Sequence, residues 1–184
     1  MKADIIRPTA VLVLVTLFAA VIIGVTYTVT REPIRAQRAN AEMAAILALL
    51  PDTHEIYYFH IDEPGSSLTR ATISLGPNGE TTGYVLSASP AGYSGRIHMM
   101  IAFDPYGIIQ GVRIINHTET PGLGANITQD WFLGGFAGRG PAGVLAIHDV
   151  PAIASATISV NAVLRGVNDA LAFMRPGEEL LLSW

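Results

Sequence analysis

The sequence predicts an α+β domain that follows a single N-terminal transmembrane helix. Three observations lead to this fold class: an uncharged apolar segment long enough to cross a bilayer, alternating runs separated by turn signals, and a last long segment with helical apolar periodicity. Strands followed by helices are typical of an antiparallel sheet with flanking helices. Charged residues make up 14% of the 184-residue chain, against about 25% in an ordinary soluble domain. Part of this protein is therefore predicted to avoid water.

The predicted transmembrane helix comprises the uncharged residues 8–30, a stretch longer than the about 20 apolar residues that cross a bilayer. A cleaved signal peptide is the alternative, because Lys2 and Arg7 resemble its basic region. However, the apolar run is longer than a signal core, and residues 27–31 form a poor cleavage site. We therefore expect an uncleaved single-pass anchor preceded by residues 1–7. Basic residues on both sides leave its orientation open.

Residues 31–51 predict a juxtamembrane helix with an apolar stripe that ends at Pro51 and that leads the chain away from the membrane. Residues 52–184 form the domain. Turn signals at 76–79 and 104–107 predict two hairpins. The predicted strands are residues 70–75, 81–87, 96–103 and 108–115.

Two helices are predicted to follow the strands. The first is short, at residues 128–133, and is followed by the glycine-rich residues 134–143. The second is long, at residues 158–174, where apolar residues recur at helical spacing. Pro176-Gly177 is predicted to end it.

Composition excludes several classes of function. The chain has no cysteine, which rules out disulfides, thiolate-held iron–sulfur clusters, cysteine-ligated zinc and covalent c-type haem. The net charge is −4 and no basic cluster marks the main body, so we expect no nucleic-acid partner. No nucleophile–base pair, P-loop or Rossmann glycine pattern is visible. We predict neither catalytic residues nor a metal site.

The start of the last helix carries the hydroxyls of Ser155, Thr157 and Ser159. The simplest interpretation is capping, in which Ser155 or Thr157 accepts hydrogen bonds from the free N–H groups of the first turn. The alternative is an anion site, because a helix N-terminus attracts phosphate. A phosphate bound there could also be esterified to one of the hydroxyls. The pattern by itself favours capping.

Residues 117–124 are incompatible with a helix or a central strand, because Pro121 lies beside glycines. The segment is either an ordinary loop or a rigid loop whose backbone closely approaches a flat ligand. A metal site at His117 and Glu119 is weakly supported, since no third ligand is near in sequence. Residues 92–96 are similarly ambiguous between a strand-entry turn and a ligand contact.

These segments, taken in order, resemble the FMN-binding domain family. The resemblance consists of the N-terminal anchor, Gly-Tyr-Ser-Gly at 92–95, Glu-Thr-Pro-Gly-Leu-Gly at 119–124, and Ala-Thr at 156–157 opening a helix. The loop at 119–124 is the specific part, and the likeness covers essentially the whole chain. Within the family, the sequence is similar to the G subunits of Rnf-type ion-translocating ferredoxin:NAD oxidoreductase complexes. These are related to the C subunits of sodium-translocating NADH:quinone reductases.

The resemblance implies that FMN is bound covalently. In the family, a phosphoester joins FMN to the threonine that ends an Asp-x-x-Ser/Thr-Gly-Ala-Thr motif, and Thr157 corresponds to that threonine. Ala156 also matches, whereas the Asp, Ser/Thr and Gly positions hold Pro151, Ala154 and Ser155. Ser155 is the less favoured alternative acceptor.

The resemblance also implies a set of cofactor-binding residues. Ser155 and Ser159 are expected to donate to the phosphate, and the 119–124 loop is expected to flank the flavin. The full set is Tyr93, Glu119, Thr120, Pro121, Gly122, Leu123, Gly124, Ser155, Ala156, Thr157 and Ser159.

The implied function is that of a membrane-anchored electron-transfer subunit within an ion-translocating ferredoxin:NAD oxidoreductase complex. Its partners would be the membrane, iron–sulfur and flavin subunits of the complex, with lipid around the anchor. It would be a component of a translocase and not a self-contained enzyme. The implied location is a bacterial inner membrane, with residues 1–7 cytoplasmic and the domain periplasmic.

Two alternatives remain. The first is a membrane-anchored, non-redox interaction domain with the same fold and no flavin, which the altered 151–155 segment favours. The second is a flavin-containing sensor, which would be expected to carry further membrane helices or additional domains.

Overall fold

The computed structural model describes residues 2–175 and divides the chain into two units, one ending at Glu42 and one beginning at Met43. The first unit is helical and belongs to α1, Lys2–Leu49. Residues 8–30 are exposed throughout. The helix is long and apolar enough to cross a membrane, and three of its threonine hydroxyls, at 16, 26 and 28, donate to carbonyls one turn earlier. These bonds satisfy hydroxyl donors that lipid could not satisfy.

Helix α1 continues through Pro8 and Pro33, so the predicted anchor and the predicted juxtamembrane helix are parts of one element. An internal proline removes one backbone hydrogen bond, a loss that so long a helix tolerates. The helix ends at Leu49, two residues before Pro51. The α conformation is disfavoured immediately before a proline, which explains the end point.

The second unit contains a five-stranded antiparallel sheet in which the strand order follows the chain order. Every predicted strand is present, with ends shifted by one or two residues. The first strand was not predicted, because it is an edge strand with mostly exposed side chains and lacks apolar alternation. The strands are β1 Glu55–His60, β2 Leu68–Leu75, β3 Thr81–Ala88, β4 His98–Phe103 and β5 Ile109–Asn116.

Helices pack on both faces of the sheet. Neighbouring residues of a strand point to opposite sides, so each strand contributes side chains to both faces. One face carries Leu86, Met99 and Ile101 into the main core with the last helix, α3, Thr157–Phe173. The other face is covered by the C-terminal end of α1. That smaller cluster contains Ala45, Ile46, Leu50, Val85, Met100 and Ala102. The end of the 31–51 segment therefore does more than lead the chain away from the membrane, because it forms part of the core of the domain.

Short helical turns connect β5 to α3. The predicted helix at 128–133 is reduced to α2, Asp130–Leu133, and Phe132 packs edge-to-face on Phe136 at 5.5 Å between ring centroids. Helix α3 buries the residues whose spacing predicted it: Val160, Val163, Leu164, Val167 and Leu171. It ends at Phe173, and the predicted stop signal at 176–177 lies outside the described residues.

Candidate functional site

A cavity of about 410 Å³ lies at the N-terminus of α3, where three chain segments meet. These segments are the turn at 92–95, the loop at 119–124 and the start of α3. All predicted site residues except Pro121 and Gly122 line this cavity, and Ile158 is an unpredicted addition. The lining comprises Tyr93, Glu119, Thr120, Leu123, Gly124, Ser155, Ala156, Thr157, Ile158 and Ser159. Ile158 was not predicted as a site residue, because it was interpreted as the first apolar residue of the last helix.

The N-terminus of α3 is not capped by a side chain. Ala156 occupies the N-cap position, and no side-chain hydrogen bond closes the first turn. The prediction that Ser155 or Thr157 caps the helix is therefore wrong. Alanine has no oxygen to accept a hydrogen bond, and helical geometry leaves the first N–H groups without intrahelical partners. The free donors and the positive end of the helix dipole together favour an anion here.

Thr157 is the first residue of α3, and its side chain is exposed in the cavity. Its hydroxyl has no hydrogen-bond partner among residues 2–175. Thr157 therefore combines an accessible hydroxyl with adjacent free N–H groups. This is the arrangement that a phosphate ester at this position requires.

The preceding residue, Ser155, lies in the left-handed region with φ 61°. Non-glycine residues rarely adopt this conformation, because Cβ crowds the backbone. The turn allows Ala156 and Thr157 to begin the helix at the edge of the cavity. The backbone shape here is one that glycine adopts more easily than serine does.

The loop at 119–124 is shaped by a tight turn. The N–H of Leu123 donates to the carbonyl of Thr120 at 3.2 Å, with Pro121 and Gly122 in the central positions. Gly122 has φ 76°, which matches the type II turn that proline followed by glycine favours. Pro121 and Gly122 thus form the loop without lining the cavity.

Glu119 is buried, with 4% of its surface exposed, and both carboxylate oxygens accept hydrogen bonds. The N–H of Ser94 donates to Oε1 at 2.9 Å, and the hydroxyl of Ser159 donates to Oε2. Ser159 was expected to donate to the phosphate, but its hydroxyl proton is directed to Glu119. The carboxylate therefore connects the three segments of the site.

His117 contacts the backbone of Glu119 and not its carboxylate. Its Nδ1 accepts the backbone N–H of Glu119 at 3.1 Å, which stabilises the loop locally. Within residues 2–175, no group of three or more histidine, cysteine or acidic side chains is placed to hold a metal ion.

The cavity suits a flat organic ligand that carries a phosphate. Its volume falls within the range of about 300–1,000 Å³ of small-molecule sites. Tyr93, Leu123 and Ile158 contribute large exposed apolar surface, with 70%, 46% and 52% of their surfaces exposed. An aromatic ring system would cover this surface, while the uncapped start of α3 would hold the phosphate.

Comparison with known proteins supports this interpretation of the cavity. The model of a family described as FMN-binding domain matches residues 92–172, a range that contains every predicted site residue. The G subunit of an ion-translocating oxidoreductase complex from Cereibacter sphaeroides is 32% identical over 191 residues, covering 91% of this chain and 84% of its own length. The corresponding protein from Methanosarcina acetivorans is 27% identical, covering 95% and 97%.

Among solved structures, the chain is similar to the crystal structure of Shewanella oneidensis NqrC. The TM-score is 0.44 and the sequence identity is 23%, with 67% of this chain and 63% of that chain covered.

Proposed function

Because the chain belongs to the FMN-binding family of G subunits from ion-translocating oxidoreductase complexes, we propose that it is a membrane-anchored electron-transfer subunit with FMN joined covalently to Thr157. One observation carries the site assignment. The Thr157 hydroxyl is exposed, has no partner within residues 2–175, and opens an uncapped helix inside the cavity.

The residues around Thr157 have separate roles in holding FMN. The first-turn N–H groups of α3 stabilise the negative phosphoester. The side chains of Tyr93, Leu123 and Ile158 line the cavity and would contact the ring system and shield part of it from water. The flavin supplies the electron-transfer chemistry, while the protein sets its position and surroundings.

The altered motif is compatible with this role. The family motif has glycine where this chain has Ser155, and Ser155 adopts a left-handed conformation, φ 61°, of the kind that glycine favours. Ser155 thus adopts a backbone conformation that a glycine at this position would favour. The Ser155 hydroxyl also lines the cavity and is available to donate to the phosphate.

Membrane attachment completes the proposal. The exposed apolar residues 8–30 lie in lipid, with residues 1–7 in the cytoplasm and the domain on the outer face of a bacterial inner membrane. The membrane, iron–sulfur and flavin subunits of the complex are its electron-transfer partners. A covalent bond suits this location, because FMN lost outside the cytoplasm could not readily be replaced.

The test is intact-mass measurement of the full chain from its native host, with in-gel flavin fluorescence after denaturation. We expect one FMN adduct in the wild type and none in Thr157→Ala, and the variant should still unfold cooperatively because Thr157 makes no capping bond. Ser155→Ala is the matched control and should keep the adduct. A bare-chain mass in the wild type would instead support a non-redox interaction domain, and an adduct surviving Thr157→Ala would refute the acceptor assignment.

A further inference from the structure

The carboxylate of Glu119 occupies the point where the three segments of the site converge. It lies in the loop that follows β5, and it accepts one hydrogen bond from the 92–95 turn and one from the first turn of α3. The partners are the N–H of Ser94, at 2.9 Å, and the hydroxyl of Ser159. In sequence, these partners lie 25 residues before and 40 residues after Glu119. A single side chain thus connects distant parts of the chain beside the cavity.

The carboxylate of Glu119 is held by hydrogen bonds and not by an ion pair within residues 2–175. Both donors are neutral, and no cationic side chain contacts the carboxylate within residues 2–175. A buried carboxylate without a cation is costly unless its oxygens are hydrogen-bonded. Loss of either bond would therefore destabilise the local arrangement more than loss of an exposed contact would.

Two glycines allow this close approach. A Cβ added to Gly92 would lie 2.6 Å from Oε1 of Glu119, and a Cβ added to Gly124 would lie 2.8 Å from Oε2. Real Cβ atoms essentially never come this close to another heavy atom. The 92–95 turn and the end of the 119–124 loop are therefore both packed directly on the carboxylate.

We propose that Glu119 is a positioning residue that sets the location of Thr157 relative to the 92–95 turn and the 119–124 loop. Ser159 lies two residues after Thr157 in the first turn of α3. Holding the Ser159 hydroxyl therefore sets the rotation of that turn, and with it the place of the Thr157 hydroxyl. The role in holding a flavin rests on the function proposed above, whereas the effect on local structure does not depend on it.

Hydrogen exchange in protein without flavin tests the structural step. The parent protein is the full-length chain in detergent with Thr157→Ala, which prevents the adduct from forming. It is compared with the double variant that carries Glu119→Ala as well. We expect exchange in residues 92–96 and 157–161 to rise by about tenfold, because two buried hydrogen bonds are lost. The strands β2 to β4 should be unaffected. Unchanged exchange in both segments would overturn the proposal.

Asp169→Ala is the matched control. Asp169 lies on α3 and, like Glu119, accepts two hydrogen bonds, here from the N–H and the hydroxyl of Ser67, at 2.7 and 2.5 Å, but it does not line the cavity. Its loss should raise exchange near residues 66–68 and leave 92–96 unchanged. If Asp169→Ala loosened residues 92–96 to the same extent, the effect of Glu119 would be general destabilisation and the proposal would fail.

Glu119→Gln tests whether hydrogen bonding carries the effect. The glutamine carbonyl can accept from Ser94, and its NH₂ can donate to the Ser159 hydroxyl, so both bonds can be kept without the charge. We expect Glu119→Gln on the Thr157→Ala background to restore protection close to that of the parent. Exchange as fast as in Glu119→Ala would overturn positioning by hydrogen bonds.

A second readout uses protein with Thr157 intact. Denaturing gels report how much flavin is attached, and iodide quenching of the native protein reports how exposed that flavin is. Per attached flavin, Glu119→Ala should be quenched several-fold more strongly than the wild type, and Glu119→Gln should resemble the wild type. Equal quenching in all three would reject the positioning role. Absence of flavin from the wild type would reject the proposed function instead, while the exchange result would stand.

Discussion

At the residue scale, the site is defined by which hydroxyl is engaged and which is accessible. Ser159 and Thr157 lie in the same helical turn, yet the Ser159 hydroxyl is buried against Glu119 and the Thr157 hydroxyl is exposed without a partner within residues 2–175. The difference arises from position on the helix. Ser159 faces Glu119 in the loop and Thr157 is exposed in the cavity, so of these two hydroxyls only that of Thr157 is accessible.

Ser155 provides a prediction about backbone strain. A non-glycine residue in the left-handed region costs about 1–2 kcal/mol, and the greater unfolded-state freedom of glycine offsets about half of any gain. Ser155→Gly should therefore raise the free energy of unfolding by about 0.5 kcal/mol and preserve the flavin adduct. Thermal unfolding of the detergent-solubilised chain measures this, with an expected increase of about 1–2 °C.

Ser155→Val is the opposing control for this position. A β-branched side chain is strongly disfavoured at φ 61°, so this variant should unfold at a lower temperature than the wild type. Similar unfolding temperatures for the glycine and valine variants would show that residue 155 is not left-handed.

At the element scale, the sheet depends on helices packed against both of its faces. Helix α3 covers one face, and the end of α1 covers the other through a small cluster around Ile46, Val85 and Met100. The same helix that carries the apolar anchor thus contributes to the core of the domain. Deletion of residues 1–49 would therefore expose that face of the sheet.

Ile46 provides a stability test of this packing. It is 1% exposed, and replacing a buried isoleucine with alanine costs about 2–5 kcal/mol through lost burial and a residual cavity. Ile46→Ala should therefore lower the thermal unfolding temperature of the domain by several degrees. Leu47→Ala is the matched control, because Leu47 is 44% exposed and should change stability by less than about 0.5 kcal/mol. Equal effects would contradict the packing of α1 on the sheet.

At the scale of the whole molecule, the chain combines an apolar helix with an acidic domain that carries the cavity. Residues 8–30 are apolar and exposed, which is costly in water and favourable in lipid. The helix therefore specifies attachment to a membrane. It does not specify direction, since basic residues flank the apolar segment on both sides.

The absence of cysteine makes orientation directly measurable. Tyr106→Cys places a thiol in the exposed turn between β4 and β5, where the native side chain is 86% exposed, and Ala3→Cys places one before the anchor. A membrane-impermeant maleimide added to intact spheroplasts should label residue 106 and should label residue 3 only after permeabilisation. The reverse pattern would place the domain in the cytoplasm, and the cysteine-free wild type gives the background.

Much of the fold could be predicted because its signals are local. The apolar run at 8–30, the periodicity of α3 and the turn signals between strands all lie within short windows. Strand β1 could not be predicted, because an exposed edge strand has no alternating pattern. Capping was predicted wrongly, because hydroxyls near a helix start suggest a cap, whereas the actual N-cap residue, Ala156, was decided by the left-handed turn at Ser155.

The sequence by itself determined the membrane anchor, the α+β class, the exclusion of sulfur-held cofactors and most of the residues that line the cavity. Only the tertiary structure decided what those residues do for one another. It placed Glu119 between Ser94 and Ser159, left the Thr157 hydroxyl exposed, and put the end of α1 into the core. The physical reason is the range of the interactions. Periodicity and composition act between near neighbours, whereas a buried carboxylate takes its partners from segments that only the folded chain brings together.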